Sequence, residues 1–196
     1  MIPPRLVLAT ANRGKVEELR ALVAEWGPVE VLSLAAFPGV TCPEERGGAY
    51  AENALAKARA VAAASANPAL ADDSGLEVEA LGGAPGVRSA RWAPTDAARV
   101  ARLLAELAGV PRAARRACFR CVVALAWPGG DAVTGEGTCR GWIATVASGG
   151  GGFGYDPVFV ADELGCSFAA AAPADKQRMS HRARAMRVLG ARLAAS

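Results

Sequence analysis

Within its first two dozen residues the chain changes hydrophobic period, and that change restricts it to folds that mix strands with helices. Leu6-Val7-Leu8-Ala9 is a continuous apolar run. Thr10-Ala11-Asn12-Arg13-Gly14-Lys15 interrupts it, and Val16, Leu19, Leu22 and Val23 then recur at helical spacing. The pattern predicts a strand, a loop and a helix. Ala49 to Ala64 is built from strong helix formers, with Glu52, Asn53, Lys57 and Arg59 spaced along it, and predicts a second helix. Thr95 caps a third, from Asp96 to Leu107, with Val100, Leu103, Leu104 and Leu107 on one face and Gly109 and Pro111 as its stop. Ala117 to Trp127 reads as a long strand, Pro128-Gly129-Gly130-Asp131 as a turn and Ala132 to Cys139 as the returning arm of a hairpin. Further strands are expected at Gly141 to Val146 and Val158 to Val160. His181 to Leu193 predicts an arginine-rich amphipathic helix with Ala185, Val188, Leu189 and Leu193 inward. The class is α/β, and no internal repeat is visible.

No Ser/Pro-rich or charged linker divides the 196 residues, so one domain spanning residues 1–196, or two closely packed lobes, is expected. Alanine inflates the 52% hydrophobic content. No run of roughly 18 uninterrupted apolar residues exists to span a bilayer, so a soluble protein without membrane attachment is expected. Met1-Ile2-Pro3-Pro4-Arg5 leads into the first strand without the parts of a signal peptide, which favours the cytoplasm. Five scattered cysteines are an odd number and argue against a disulfide framework. Cys118 and Cys121, three apart in a strand, point to opposite faces and cannot share a metal. The net charge of +3 comes from dispersed arginines rather than a basic stripe, which argues against a nucleic-acid partner.

Five segments hold residues suited to chemistry. Asp72-Asp73-Ser74-Gly75, at the end of a predicted strand, offers adjacent carboxylates for Mg²⁺ or an activated water. Its alternative is an Asx turn closing the strand. Thr10 to Lys15, between strand and helix, suits an anion, with free N–H groups, the helix dipole and the side chains of Thr10, Asn12 and Lys15. It is not a Walker A loop, because Ala9 stands where that motif has glycine and Val16 where it has Ser or Thr. The alternative is a capped helix start with a solvated lysine. Glu44 and Glu45, in the loop before the second helix, extend the acidic set and cannot be told apart by position. Gly149 to Phe159 concentrates glycine beside aromatics, so that Phe153 or Tyr155 offers a face for a base or else packs in the core. Around a helix start capped by Ser180, Lys176, His181 and Arg182 cluster donors suited to phosphate or to a carbonyl oxygen on a base. Their alternative is an ordinary surface helix.

In chain order these segments carry Thr10-x-Asn12-x-x-Lys15, Glu52-Asn53-Ala54 with Lys57-Ala58-Arg59, Ala71-Asp72-Asp73-Ser74-Gly75-Leu76, Leu81-Gly82-Gly83-Ala84-Pro85-Gly86 with Ser89-Ala90-Arg91, Gly152-Phe153-Gly154-Tyr155-Asp156-Pro157-x-Phe159, and Lys176 with Ser180-His181-Arg182. Each is weak alone. Together, over nearly the whole chain, they resemble the inosine/xanthosine triphosphate pyrophosphatase family, also called Ham1-like. One departure is Ala11, where the family more often has glycine; a positive φ there would strain alanine.

The resemblance implies that Thr10, Ala11, Asn12, Arg13, Gly14 and Lys15 hold a triphosphate. It implies that Glu44, with Glu45 as its fallback, and Asp73 position Mg²⁺, and that Asp73 is the base activating water. Ser74, Phe153, Gly154, Tyr155, Asp156, Lys176, His181 and Arg182 would complete substrate binding. Attack at the α-phosphorus of ITP, dITP or XTP would release pyrophosphate and the monophosphate. Donors from His181, Arg182 or a backbone N–H toward the 6-oxo group would reject the amino group of adenine, and guanine would be refused through its 2-amino group. The family also implies an elongated α/β protein with a long mixed central sheet flanked by helices, two lobes, an active-site cleft between them, and a homodimer. The competing readings are the Maf-like nucleotide pyrophosphatases, a silent nucleotide-binding module, which has no need of Asp73, and a sequence-independent nucleic-acid binder.

Overall fold

The opening apolar run is a strand, β1 (Arg5–Leu8), whose Leu6, Val7 and Leu8 are wholly excluded from solvent in the computed structural model, which describes residues 1–195. It pairs in parallel with β2 (Glu30–Ser33) on one side and β3 (Ala69–Val78) on the other. Parallel neighbours need crossovers, and the helices α1 (Arg13–Ala24) and α2 (Tyr50–Ser65) supply them. α3 (Asp96–Glu106) begins at Thr95, whose Oγ1 accepts from the Ala98 N–H at 3.1 Å. β4 (Arg116–Ala126) and β5 (Ala132–Ile143) form the hairpin, closed where the Trp127 N–H donates to the Asp131 carbonyl at 2.9 Å. β6 (Phe159–Ala161) runs antiparallel to β5, and α4 (Pro173–Met179) and α5 (His181–Ala194) follow. The six strands make one mixed sheet in the order β2-β1-β3-β4-β5-β6, as the α/β expectation requires. No helix among the described residues is long and apolar enough to cross a membrane.

Two compact units divide the chain. The first holds Met1–Asp73, Cys121–Gly137 and the residues from Arg182 onward; the second holds Ser74–Arg120 and Thr138–His181. In the first, Leu6, Leu8 and Leu70 of the sheet pack with Leu19, Leu22 and Val23 of α1 and with Met186 and Leu189 of α5. Gly135 lets α5 lie directly on β5, since a Cβ there would fall 2.3 Å from the Ala185 carbonyl oxygen. The second unit is ring-rich: Phe119 meets Phe159 edge-on at 4.6 Å between centroids and stacks with Phe168 at 6.0 Å. Buried Arg115 donates to the carbonyls of Leu107, Val110 and Ala144, satisfying backbone acceptors beyond α3.

Several elements differ from expectation. The acid pair does not end a strand; β3 runs through Asp72 and Asp73 to Val78 without a turn. The strand expected at Gly141 to Val146 is the end of β5, which leaves the sheet after Ile143. Val188 is exposed rather than inward. Ala185, Met186, Leu189 and Leu193 define the buried face of α5, and Val188, one residue before Leu189, is turned about 100° from it.

Candidate active site

Register brings the first loop to the acids. Leu8 lies opposite Leu70, and the Ala9 N–H donates to the Leu70 carbonyl at 2.8 Å, so the chain leaving β1 continues beside Asp72. Asn12 caps α1 by accepting the Lys15 N–H at 3.2 Å, and Thr10 Oγ1 accepts the Asn12 N–H at 3.2 Å. These two side chains therefore shape the turn as acceptors, while Ala11, Asn12 and Arg13 stay exposed. Ala66 is the one non-glycine residue at positive φ among those described, so Ala11 fits the loop without strain. Lys15 Nζ lies 3.0 Å from Asp72 Oδ2.

Alternation along β3 sends the two aspartates to opposite faces. Asp72 faces α1 and α5: besides Lys15, its Oδ2 accepts Arg182 Nη2 at 2.9 Å and Nε at 3.2 Å. Burial alone would push its carboxyl up, but the charges of Lys15, Arg182 and Lys57 hold it well below the usual range, so Asp72 is a fixed anion. Asp73 faces α2: Asn53 Nδ2 donates to its Oδ2 at 2.8 Å, and Lys57 Nζ stands 4.0 Å from its Oδ1. Burial raises the Asp73 carboxyl, Lys57 and Asn53 oppose that, and the Glu45 carboxylate adds to the rise. Two neighbours in sequence are thus pushed apart in proton affinity, the usual sign of distinct chemical roles.

Lys57 joins the set. Its ammonium contacts Glu45 at 2.5 Å and the Asp72 carbonyl at 2.7 Å, and although burial disfavours its charge, Asp72, Glu45 and Asp73 raise its pKa. Glu45 is thereby brought to Asp73, while Glu44 is exposed and pairs with exposed Arg46 at 3.0 Å. No group of three or more His, Cys, Asp or Glu suited to a metal occurs among the described residues. Asp73 with one loop glutamate supplies two hard oxygen donors, and the burial-raised Asp73 carboxyl is one that a cation would stabilise in its ionised form. Such a set fits Mg²⁺, which fills its remaining positions with water and phosphate oxygens.

Ser74 follows on β3, half-buried. In the second unit the glycine–aromatic loop wraps a buried acid. Asp156 Oδ2 accepts the Phe153 N–H at 2.8 Å and Lys176 Nζ at 2.6 Å. Gly152 has φ +73° and a Cβ there would lie 2.1 Å from Asp156 Oδ2, so only glycine fits this turn. The Gly154 N–H donates to Asp96 Oδ2 at 2.7 Å. Of the two expected aromatic faces, Phe153 is half-buried with Lys176 Nζ 5.1 Å from its centroid, whereas Tyr155 is packed inside with its hydroxyl donating to the Ser89 carbonyl at 3.0 Å. His181 is buried and stacks on Phe119 at 4.6 Å and 11°. Arg182, its neighbour in sequence, belongs to the first unit and holds Asp72 and Glu18. Neither is a surface helix residue. Ser180 closes α4, its N–H donating to the Lys176 carbonyl. An open pocket of about 510 Å³, lined by Arg112, Ala113, Arg116, Trp142 and Asp162, contains none of the residues named from the sequence.

Asn53 and Lys57 stand in the sequence only as motif residues without an assigned chemical role, and Glu18 is not singled out there at all. For the first two a signal exists: they fall four apart on the face of α2 that Ala54, Ala58 and Val61 bury, and polar residues in such a stripe need partners. Glu18 offers none, because its partner is 164 residues away.

Known proteins match this chain over nearly its full length. A model of the Ham1 family matches residues 6–192. A dITP/XTP pyrophosphatase of Geobacillus kaustophilus is 50% identical, with 92% of this chain and 90% of that protein aligned. One from Pseudomonas aeruginosa is 49% identical, with 96% of each aligned. Among solved structures, a Ham1 protein from Coxiella burnetii superposes with a TM-score of 0.86 at 36% identity, covering 99% of this chain and 100% of that one. The Staphylococcus aureus Ham1 protein gives 0.84 at 35% identity, covering 97% and 98%.

Proposed function

The chain belongs to the Ham1 family, and we propose that it hydrolyses deaminated purine nucleoside triphosphates, ITP, dITP and XTP, to the nucleoside monophosphate and pyrophosphate. One observation carries the reading: of two adjacent aspartates, Asp72 is pinned as an anion by Lys15 and Arg182, while burial and Glu45 raise the carboxyl of Asp73. A raised but ionisable carboxylate is what a general base toward water requires near neutral pH.

In this reading residues 1–196 work as one pyrophosphatase domain. The backbone N–H groups from Thr10 to Gly14, with Lys15, bind the triphosphate at the start of α1. Asp73 takes a proton from a water whose oxygen bonds to the α-phosphorus, and the bond from that phosphorus to the bridging oxygen breaks, releasing pyrophosphate. Asn53 orients Asp73 by donating to its Oδ2. Mg²⁺ would be held by Asp73 and Glu44 and supplies positive charge to the polyphosphate. Glu44 is preferred over Glu45 because its Arg46 partner is exposed and readily replaced, whereas Glu45 is committed to buried Lys57. Ser74 contacts the substrate, Phe153 stacks on the base, the Gly154–Asp156 turn shapes its seat, and Lys176 and His181 supply donors for the 6-oxo group. The family resemblance further implies a cytoplasmic homodimer, tested by light scattering of the purified protein.

Pyrophosphate release against a panel of nucleoside triphosphates, with and without Mg²⁺, tests the reading. ITP, dITP and XTP are expected to exceed ATP in kcat/KM by about a hundredfold or more, and orthophosphate as product would overturn attack at the α-phosphorus.

A further inference from the structure

Glu18 takes no part in the chemistry above, yet it closes a ring of charge around the start of α1. Lys15 and Glu18 are three residues apart and share one face of that helix. Lys15 Nζ reaches Asp72 Oδ2 at 3.0 Å, the same oxygen accepts Arg182 Nη2 at 2.9 Å, and Arg182 Nη1 donates to the Glu18 carboxylate. The first turns of α1 are therefore tied to β3 twice, directly through Lys15 and indirectly through Glu18 and Arg182. Asp72 and Arg182 are fully enclosed, and the Glu18 side chain is only 18% exposed. A planar guanidinium presents donors on two edges and so holds two carboxylates at a fixed angle, which a lysine ammonium does not.

We propose that Glu18 is a positioning residue for polyphosphate: through Arg182 and Asp72 it fixes the rotation of α1 about its axis, and with it the direction of Lys15 and of the N–H groups ahead of it. The inference rests on the placement of the triphosphate at Thr10 to Lys15. Without the Glu18 carboxylate, Arg182 loses one of the two acids that fix its plane and the indirect tie of α1 to β3 is broken, so the lysine and its loop lose their set orientation.

The test uses the full chain carrying Glu18→Ala, Glu18→Gln or Glu18→Asp, with KM and kcat for ITP, the Kd of inorganic pyrophosphate by calorimetry, and Tm. In Glu18→Ala, KM and the pyrophosphate Kd are expected to rise together by about tenfold with kcat within about twofold, the scale of a modestly misaligned binding group. Glu18→Gln keeps an oxygen acceptor for Arg182 and is expected to restore most of the loss. Glu18→Asp withdraws the carboxylate by one methylene, is expected to fall between them, and serves if the alanine variant does not fold. A lowered Tm with KM and Kd unchanged, or a fall in kcat alone, would overturn the positioning role. A wild-type protein that binds pyrophosphate but does not turn over ITP would refute the proposed activity and leave the Kd comparison standing as the test of Glu18. Wild-type failure to bind pyrophosphate would remove the phosphate loop and this inference together.

Discussion

Each unit buries an aspartate against a lysine, and the two pairs are built on different principles. Asp72 meets Lys15 at 3.0 Å amid further charge, from Arg182, Lys57 and Glu18, all brought in by helices. Asp156 meets Lys176 at 2.6 Å, but its other contacts are a backbone N–H and the space left by a glycine, beside rings. The first arrangement sets proton affinity and charge, which suits the phosphate chemistry proposed for it. The second sets shape, which suits the proposed recognition of a flat base.

Changes of charge should therefore hurt the first region more, and changes of volume the second. Asp73→Asn is expected to lower kcat by about a thousandfold while calorimetry finds nucleotide binding little changed, the range for losing a general base; near-normal turnover would move the base elsewhere. Asp72→Asn leaves Lys15 and Arg182 without their shared anion and is expected to cost about 3 kcal/mol in urea unfolding. Asp156→Asn keeps an acceptor for the Phe153 N–H and should cost no more than about half of that; equal losses would erase the contrast. Next comes Gly152→Ala, expected to cost about 1–3 kcal/mol from its φ and its contact with Asp156, with KM for ITP raised and the acid limb of the pH profile unmoved. The smallest effect is that of Glu45→Gln. Burial chiefly, and then Glu45, raises the carboxyl of Asp73 in the metal-free protein, so without Mg²⁺ its titration lies above the ordinary carboxylate range. Removing the Glu45 charge should shift that titration, followed by NMR without Mg²⁺, to lower pH; a shift to higher pH would contradict the assignment.

The helices and long strands were legible wherever a run of side chains shares one environment. Leu6 to Ala9, the Thr95 cap of α3 and the alanine-rich α2 needed no distant information. β2 was not legible, because an edge strand of one exposed and three half-buried residues has too little pattern. The polar break at Asp72-Asp73 looked like a strand end, since nothing local shows that α2 and α5 bring Lys57 and Arg182 to satisfy it. The acid pair itself stood out, but its division did not: it depends on which face of β3 each carboxylate takes and on which helix covers that face. For Arg182 the motif pointed to a base, and its packing points to Asp72 and Glu18.

Arg182 is 110 residues from Asp72 in sequence. At typical rates of synthesis the aspartate leaves the ribosome on the order of ten seconds before its guanidinium partner. During that interval the nascent chain carries β1, α1, α2 and β3 but cannot complete the charge ring, and Asp72 has to remain hydrated or lean on Lys15 and Lys57. The charge ring is thus completed late in the life of each new molecule, and a chain released before α5 would hold Asp72 and Glu18 without the arginine that joins them.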